Sequence, residues 1–226
     1  MSTGFLYKKI GKGAVCFLAF ALILFSFGYA WYLSSAIVVN TSKSFYFLIS
    51  SSTHIEVSTH EATQMGGAGY LFEVNGREVV ALSAYIDETE AVTVNAGLKD
   101  GQMEVLLLES SNLYLKTRKQ KQKESVYKNA FANLYSCIDS LNGEIARLEK
   151  GATQQSSKRI LKALKERFVI MGKENEKQFP QFTKFCKNAE EQLTSSISGV
   201  VYLEDLRYLT CDLCLSYIRL SEEFCV

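Results

Sequence analysis

The chain has 226 residues, 47% of them hydrophobic, with a single proline, a composition that excludes collagen-like and low-hydrophobicity disordered proteins. Its 25 basic and 24 acidic side chains leave a net charge of +1, which argues against a nucleic-acid protein driven by overall charge.

Residues 14–39 carry no charged side chain. At about 1.5 Å per helical residue they reach roughly 39 Å, enough to cross a bilayer with some tilt. Lys8, Lys9 and Lys12 precede this block, while only Lys43 and then Glu56 come closely after it. That excess of positive charge predicts a cytoplasmic N-terminus, residues 1–13, and an extracytoplasmic C-terminal bulk. Tyr29, Trp31 and Tyr32 sit near the outer end, where amphipathic rings favour the interface. The alternative is a cleaved signal peptide ending at Ser34-Ser35-Ala36, but the block is much longer than the roughly 7–15 residues of a signal core. Cys16 is a poor lipidation site, because Gly13-Ala14-Val15 is a weak lipobox and the apolar run lies after it. A single-pass protein of the cell membrane is the expectation.

Charge divides the remainder of the chain in two. Residues 43–109 hold three basic and ten acidic side chains, a net of −7, whereas residues 110–226 hold nineteen basic and fourteen acidic, a net of +5. The first stretch reads as a small α+β module. Phe45-Tyr46-Phe47-Leu48-Ile49 has the aromatic and β-branched composition of a strand. Residues 50–53 offer capping hydroxyls, and residues 55–65 predict a short helix that Gly66-Gly67-Ala68-Gly69 ends. Residues 70–74 and 78–85 are strand-like on either side of Asn75-Gly76, a dipeptide suited to a type I′ hairpin. Asp87 precedes Glu88-Thr89-Glu90, acids placed where a helix N-terminus favours them. Ala91, Val94 and Leu98 recur at helical spacing, and residues 103–108 make a last strand. The order β-α-β-β-α-β predicts a split βαβ, ferredoxin-like module: a four-stranded sheet with two helices on one face.

Residues 112–226 read as all helix. Tyr127, Phe131, Leu134, Ile138, Leu141, Ile145 and Leu148 form a seam in steps of four and three, which Gly151 ends. Leu161, Leu164, Phe168 and Met171 continue the spacing to Gly172. After Pro180 come Phe182, Phe185, Ala189 and Leu193, then Gly199. Tyr202, Leu206, Leu209, Leu213, Tyr217, Leu220 and Phe224 complete the pattern. The expectation is an antiparallel bundle or helical hairpin within one chain, with a coiled-coil dimer through the first helix as the rival.

The first module resembles a SPOR domain, the sporulation-related repeat of bacterial cell-envelope proteins. The resemblance rests on Phe45-Tyr46-Phe47-Leu48-Ile49-Ser50, on Gly66-Gly67-Ala68-Gly69-Tyr70, and on Val79-Val80-Ala81-Leu82-Ser83-Ala84-Tyr85 with Glu88-Thr89-Glu90-Ala91 after it. It implies a non-catalytic protein that binds peptidoglycan glycan strands during cell division or sporulation. In the first strand Tyr46, Leu48 and Ser50 share one face, and Phe45, Phe47 and Ile49 the other. The second set is the more uniformly apolar and is expected to pack on the module's helices. Tyr46 and Ser50, with Tyr85 from the third strand, are then the candidate glycan-binding residues. Leu48, Ser50 and Ser52 stand where the family carries a glutamine, a glycine and an aromatic. This favours the alternative, a structural or interaction membrane protein whose helical module recruits a protein partner or self-associates without binding glycan.

Other residue clusters carry weaker signals. His54 and His60 are too few for a triad plus a metal set, and Ser-x-x-Lys, paired-histidine zinc and nucleophile-elbow motifs are absent. No enzyme activity, cofactor or metal is expected. Glu73, Glu78, Asp87, Glu88 and Glu90 read as a solvated rim. Gly66, Gly67 and Gly69 come after a helix and before a strand, the reverse of a phosphate cradle, so a positive-φ connection is expected. Cys137, Cys186, Cys211, Cys214 and Cys225 are expected as small buried hydrophobes, with a disulfide as the alternative. Lys116, Arg118, Lys119, Lys121, Lys123 and Lys128, opposed only by Glu124, make a basic entry to the first long helix, for which wall polymers and lipid headgroups are the polyanions available outside the cell; the expectation is a solvated helix start, with docking onto the acidic module as one form of it.

Overall fold

The computed structural model describes residues 21–30, 35–50, 55–98 and 103–224. Helix α1 runs through residues 21–30, all of them exposed. Among the described residues no helix is long and apolar enough to cross a membrane. Lys8, Lys9, Lys12, Cys16, Trp31, Tyr32 and Ser34, on which the anchor's direction and its alternatives rest, lie outside the described residues. The end of the uncharged block is not helical. Ile37–Val39 forms strand β1, which pairs antiparallel with strand β6, Leu113–Leu115, through Ile37↔Leu115, Val38↔Tyr114 and Val39↔Leu113. Both strands differ from the sequence expectation, which puts Ile37–Val39 in the membrane helix and Leu113–Leu115 in the helical stretch. Val39, Leu113 and Leu115 alternate inward and are buried, so the pairing is fixed by what it covers.

Between these two strands lies the α+β layer: β2 (Ser44–Ser50), α2 (Ile55–Gln64), β3 (Tyr70–Val74), β4 (Arg77–Tyr85), α3 (Glu88–Gly97) and β5 (Met103–Glu109). The four strands form one antiparallel sheet in the order β3-β4-β2-β5, the split βαβ arrangement expected. Asn75 and Gly76 both have positive φ, 53° and 76°, the type I′ geometry that closes β3 onto β4 at Val74↔Arg77. Asp87 caps α3 by accepting the Glu90 N–H at 2.9 Å.

Four long helices come after a short turn of helix, α4 (Arg118–Lys121): α5 (Glu124–Glu149), α6 (Gln154–Asn175), α7 (Pro180–Ser198) and α8 (Leu203–Glu222). The expected seam is buried within the chain, with Phe131, Leu134, Ile138 and Leu141 at 1% exposure or less. The bundle is intramolecular. Helices α5 and α8 pack on each other and α8 lies against β4 and β3, while α6 and α7 pack chiefly on each other beyond them.

The separation into an α+β module and a helical module does not extend to the core. One cluster of buried side chains joins Phe45, Phe47, Ile49 and Phe72 of the sheet to Leu134, Ile138, Leu209 and Leu213 of the bundle. The Tyr217 hydroxyl donates to the Thr41 carbonyl at 2.7 Å, and the Ser111 N–H donates to Ser221 Oγ at 2.9 Å. These bonds fasten α8 to the segments on either side of the α+β layer.

Candidate functional site

The sheet faces are where the sequence places a ligand. On one, Leu48, Val80, Leu82 and Tyr85 pack with Ala62 of α2 and Ala91 of α3, and Tyr46, Val94, Leu98, Met103 and Val105 line the edge of this cluster. The alanines let both helices close onto the strands. On the other, Phe45 meets Tyr217 of α8 with ring centroids 5.3 Å apart and Tyr135 of α5 at 6.3 Å, while Phe47 packs on Phe72.

The three candidate residues therefore need correcting. Tyr46 and Tyr85 are cross-strand partners, so their expected companionship holds, but both lie on the face under α2 and α3. Tyr46 is half-buried and Tyr85 is 5% exposed. Burial raises the Tyr85 hydroxyl's pKa, and Ser83 Oγ donates to it at 3.0 Å. Ser50 is buried, 3.4 Å from Ser58 Oγ of α2. The sequence expectation has the two faces reversed, because it weighs only α2 and α3 as cover and gives them the most apolar face. The larger rings instead fill the gap against α5 and α8, a wider apolar surface than two short helices offer. Register helps conceal this: β2 pairs Leu48 with Ser83 but Ile49 with Ala81, so β4 carries one extra residue. Such a bulge shifts which side chains face which way.

Polar contacts gather where β3 and the α2–β3 turn meet α8. The Tyr70 hydroxyl donates to Asp212 Oδ1 at 2.9 Å, and Gln192 Nε2 donates to Asp212 Oδ2 at 3.4 Å. Burial, then the Asp212 charge, raises the Tyr70 pKa. Arg207 donates to the Gly66 carbonyl and pairs with Glu149 of α5. Gly66 and Gly69 have φ of 73° and 59°, the positive-φ connection expected, which turns the Gly66 carbonyl toward α8. Sequence reasoning misses Arg207 and Asp212; their signal is that each stands next to a leucine of the apolar stripe, Leu206 and Leu213, at its border.

The remaining candidates stay apart. His60 is exposed, with Gln64 Nε2 2.8 Å from its Nε2, and His54 lies outside the described residues. Glu73 and Glu78 are exposed cross-strand neighbours by the hairpin, whereas Asp87, Glu88 and Glu90 stand at the start of α3. Among the described residues no group of three metal-binding side chains comes together.

Cys137, Cys186, Cys211 and Cys214 are free and buried, whereas Cys225 lies outside the described residues. Burial pushes the Cys137 thiol up to about 11 and the Cys186 thiol up to about 12, from an ordinary 9.0. A thiol whose pKa is raised by folding ionises first in the unfolded chain, so its contribution is intact below pH 9 and is lost as pH rises toward the folded value. The thermal midpoint is expected to hold steady from neutral pH to about 9 and then to fall, with these four thiols silent to an aromatic disulfide reagent until unfolding. Rapid labelling of Cys137 or Cys186 at neutral pH, read by mass spectrometry, would contradict this.

No protein family, curated protein or solved structure matches the chain.

Proposed function

We propose that the chain is a non-catalytic, membrane-anchored cell-envelope protein whose folded body serves as an interaction module. The observation that carries this reading is the sheet face left open by α2 and α3, which α5 and α8 of the same chain fill. A flat sheet offering rings and short polar side chains to a sugar chain is thereby replaced by a continuous apolar core. The anchor rests on the uncharged residues 14–36 and on α1, whose Leu22, Ile23, Leu24, Phe25 and Phe27 are all more than half exposed. Side chains of that kind suit contact with lipid better than contact with water. The surface for a protein partner is the outer pair α6–α7. A groove of about 270 Å³ there is lined by Phe168, Gly172, Lys173, Glu176, Cys186 and Glu190, and Ile170 of α6 is 54% exposed. The N-terminus is cytoplasmic and the folded body extracytoplasmic, in keeping with the lysines before the anchor.

A second reading, glycan binding at division or sporulation septa, draws its support from the strand order β3-β4-β2-β5 with both helices on one face, the fold that the SPOR resemblance implies. Co-sedimentation of the detergent-solubilised full chain with sacculi separates the two. The interaction reading expects equal sedimentation with intact and amidase-stripped sacculi. Enrichment on the stripped material would overturn it in favour of glycan. A fluorescent fusion gives the same decision in cells, through even peripheral signal or midcell and forespore enrichment.

A further inference from the structure

We propose that the β1–β6 ribbon and the basic turn after it form a juxtamembrane seat for anionic lipid headgroups, an inference that rests on the membrane-anchor reading. Register supplies the first argument. Ile37 pairs with Leu115 in an antiparallel ladder, so Lys116 leaves β6 beside Ala36, where the uncharged block enters β1. Adjacent strands lie about 5 Å apart, within the Debye length of roughly 8 Å at physiological salt.

The charges there are presented rather than consumed. Gln120 Oε1 accepts the backbone N–H groups of Lys116 and Thr117 at 3.1 and 2.9 Å, and Thr117 Oγ1 accepts the Gln120 N–H at 3.2 Å. This capping box holds the turn in shape. Lys116, Arg118, Lys119 and Lys128 are exposed, and among the described residues the two ion pairs involve other side chains. The expected docking onto the acidic α+β layer is therefore not what these four do. Lys123 donates to the Gln178 carbonyl at 2.8 Å and Lys121 is buried, so neither belongs to the seat.

An apolar element adjoins the charges. Val38 and Tyr114 are cross-strand partners and face outward, 54% and 40% exposed, while Val39, Leu113 and Leu115 face the core. An exposed aliphatic beside a tyrosine is suited to the headgroup boundary, where a ring sits in the apolar zone and its hydroxyl in water. By alternation Lys116 shares the outward face of Tyr114, with Arg118 and Lys119 directly after it in the chain, and this pairing of basic and amphipathic groups beside Ala36 matches an anionic lipid surface.

The test reconstitutes the full chain into vesicles of phosphatidylcholine alone or with one third phosphatidylglycerol, and reads acylation of individual lysines by an amine reagent. Lys116, Lys119 and Lys128 are expected to label several-fold more slowly in the anionic vesicles, with high salt abolishing the difference, while Lys162 and Lys184 on α6 and α7 label equally in both. The combined K116Q/K119Q variant should lose the lipid dependence at Lys128. Equal labelling in both vesicles overturns the seat, as does equal protection by a soluble glycerol-phosphate polymer in neutral vesicles, which would assign the site to a wall polyanion. Flotation after an alkaline carbonate wash reports separately on the anchor. Complete flotation with lipid-independent labelling leaves the anchor and removes the seat. Retention only by unwashed anionic vesicles, with the lysines protected, leaves the seat and removes the anchor. Failure to float with either removes both.

Discussion

Replacing Ile138 with aspartate is expected to unfold the sheet together with the bundle. Ile138 is fully buried in α5 and belongs to the cluster that also holds Phe45, Phe47 and Phe72. A carboxylate placed there enters a cluster of buried apolar side chains, at a cost of several kcal/mol. Against a typical net stability of about 5–15 kcal/mol, that is enough to lose the native state or leave it marginal. Because the cluster crosses from helices to strands, amide protection in β2 should disappear in step with that in α5. Persistent protection of β2–β5 while the helices exchange freely would mean that the two layers fold independently. The same reasoning predicts that residues 112–226 expressed alone do not fold cooperatively, since the faces of α5 and α8 turned toward Phe45 and Phe47 would then meet water.

Tyr217→Ala is the second large effect, expected at about 3–5 kcal/mol in chemical denaturation. The Tyr217 ring is 1% exposed and contacts Phe45 at 5.3 Å and Phe131 at 5.0 Å, both edge-on. Its hydroxyl is the donor to the Thr41 carbonyl. Removing the side chain opens a cavity between three elements and strands that bond at once. Tyr217→Phe keeps the ring and loses only the hydroxyl, for about 1 kcal/mol. If the two variants matched, the hydrogen bond would account for the whole effect and the packing argument would fall.

Local signals carried much of this fold into the sequence, because they depend on neighbours in the chain. Asn75-Gly76 demands a hairpin whatever lies around it, and the run from Tyr127 to Leu148 repeats at the helical period over about six turns. The β-α-β-β-α-β order came from such cues, and strand order came with it. What could not be read were contacts set by distant residues. Ile37–Val39 and Leu113–Leu115 are too short to announce themselves as strands, and each is defined by the other. Alternation in β2 separated Phe45, Phe47 and Ile49 from Tyr46, Leu48 and Ser50, yet said nothing of which helices cover which set. Since both sets are substantially buried, judging the glycan-facing side by relative apolarity chose between two covered surfaces. The Arg207–Glu149 pair shows the same limit, as its partners sit on separate helices.

If the chain is anchored as proposed, the β1–β6 ladder sets how the protein would answer a pull on its N-terminal segment. Tension carried along the N-terminal segment arrives at Ala36, and the load path into the helices leaves through Lys116, at the same end of the ladder. Force therefore opens the ribbon from Ile37↔Leu115 toward Val39↔Leu113, one rung after another, instead of shearing all the rungs together. Peeling of this kind yields at low force. Under the proposed membrane anchor, the ribbon would open before any strain reached β2, leaving the sheet behind it intact.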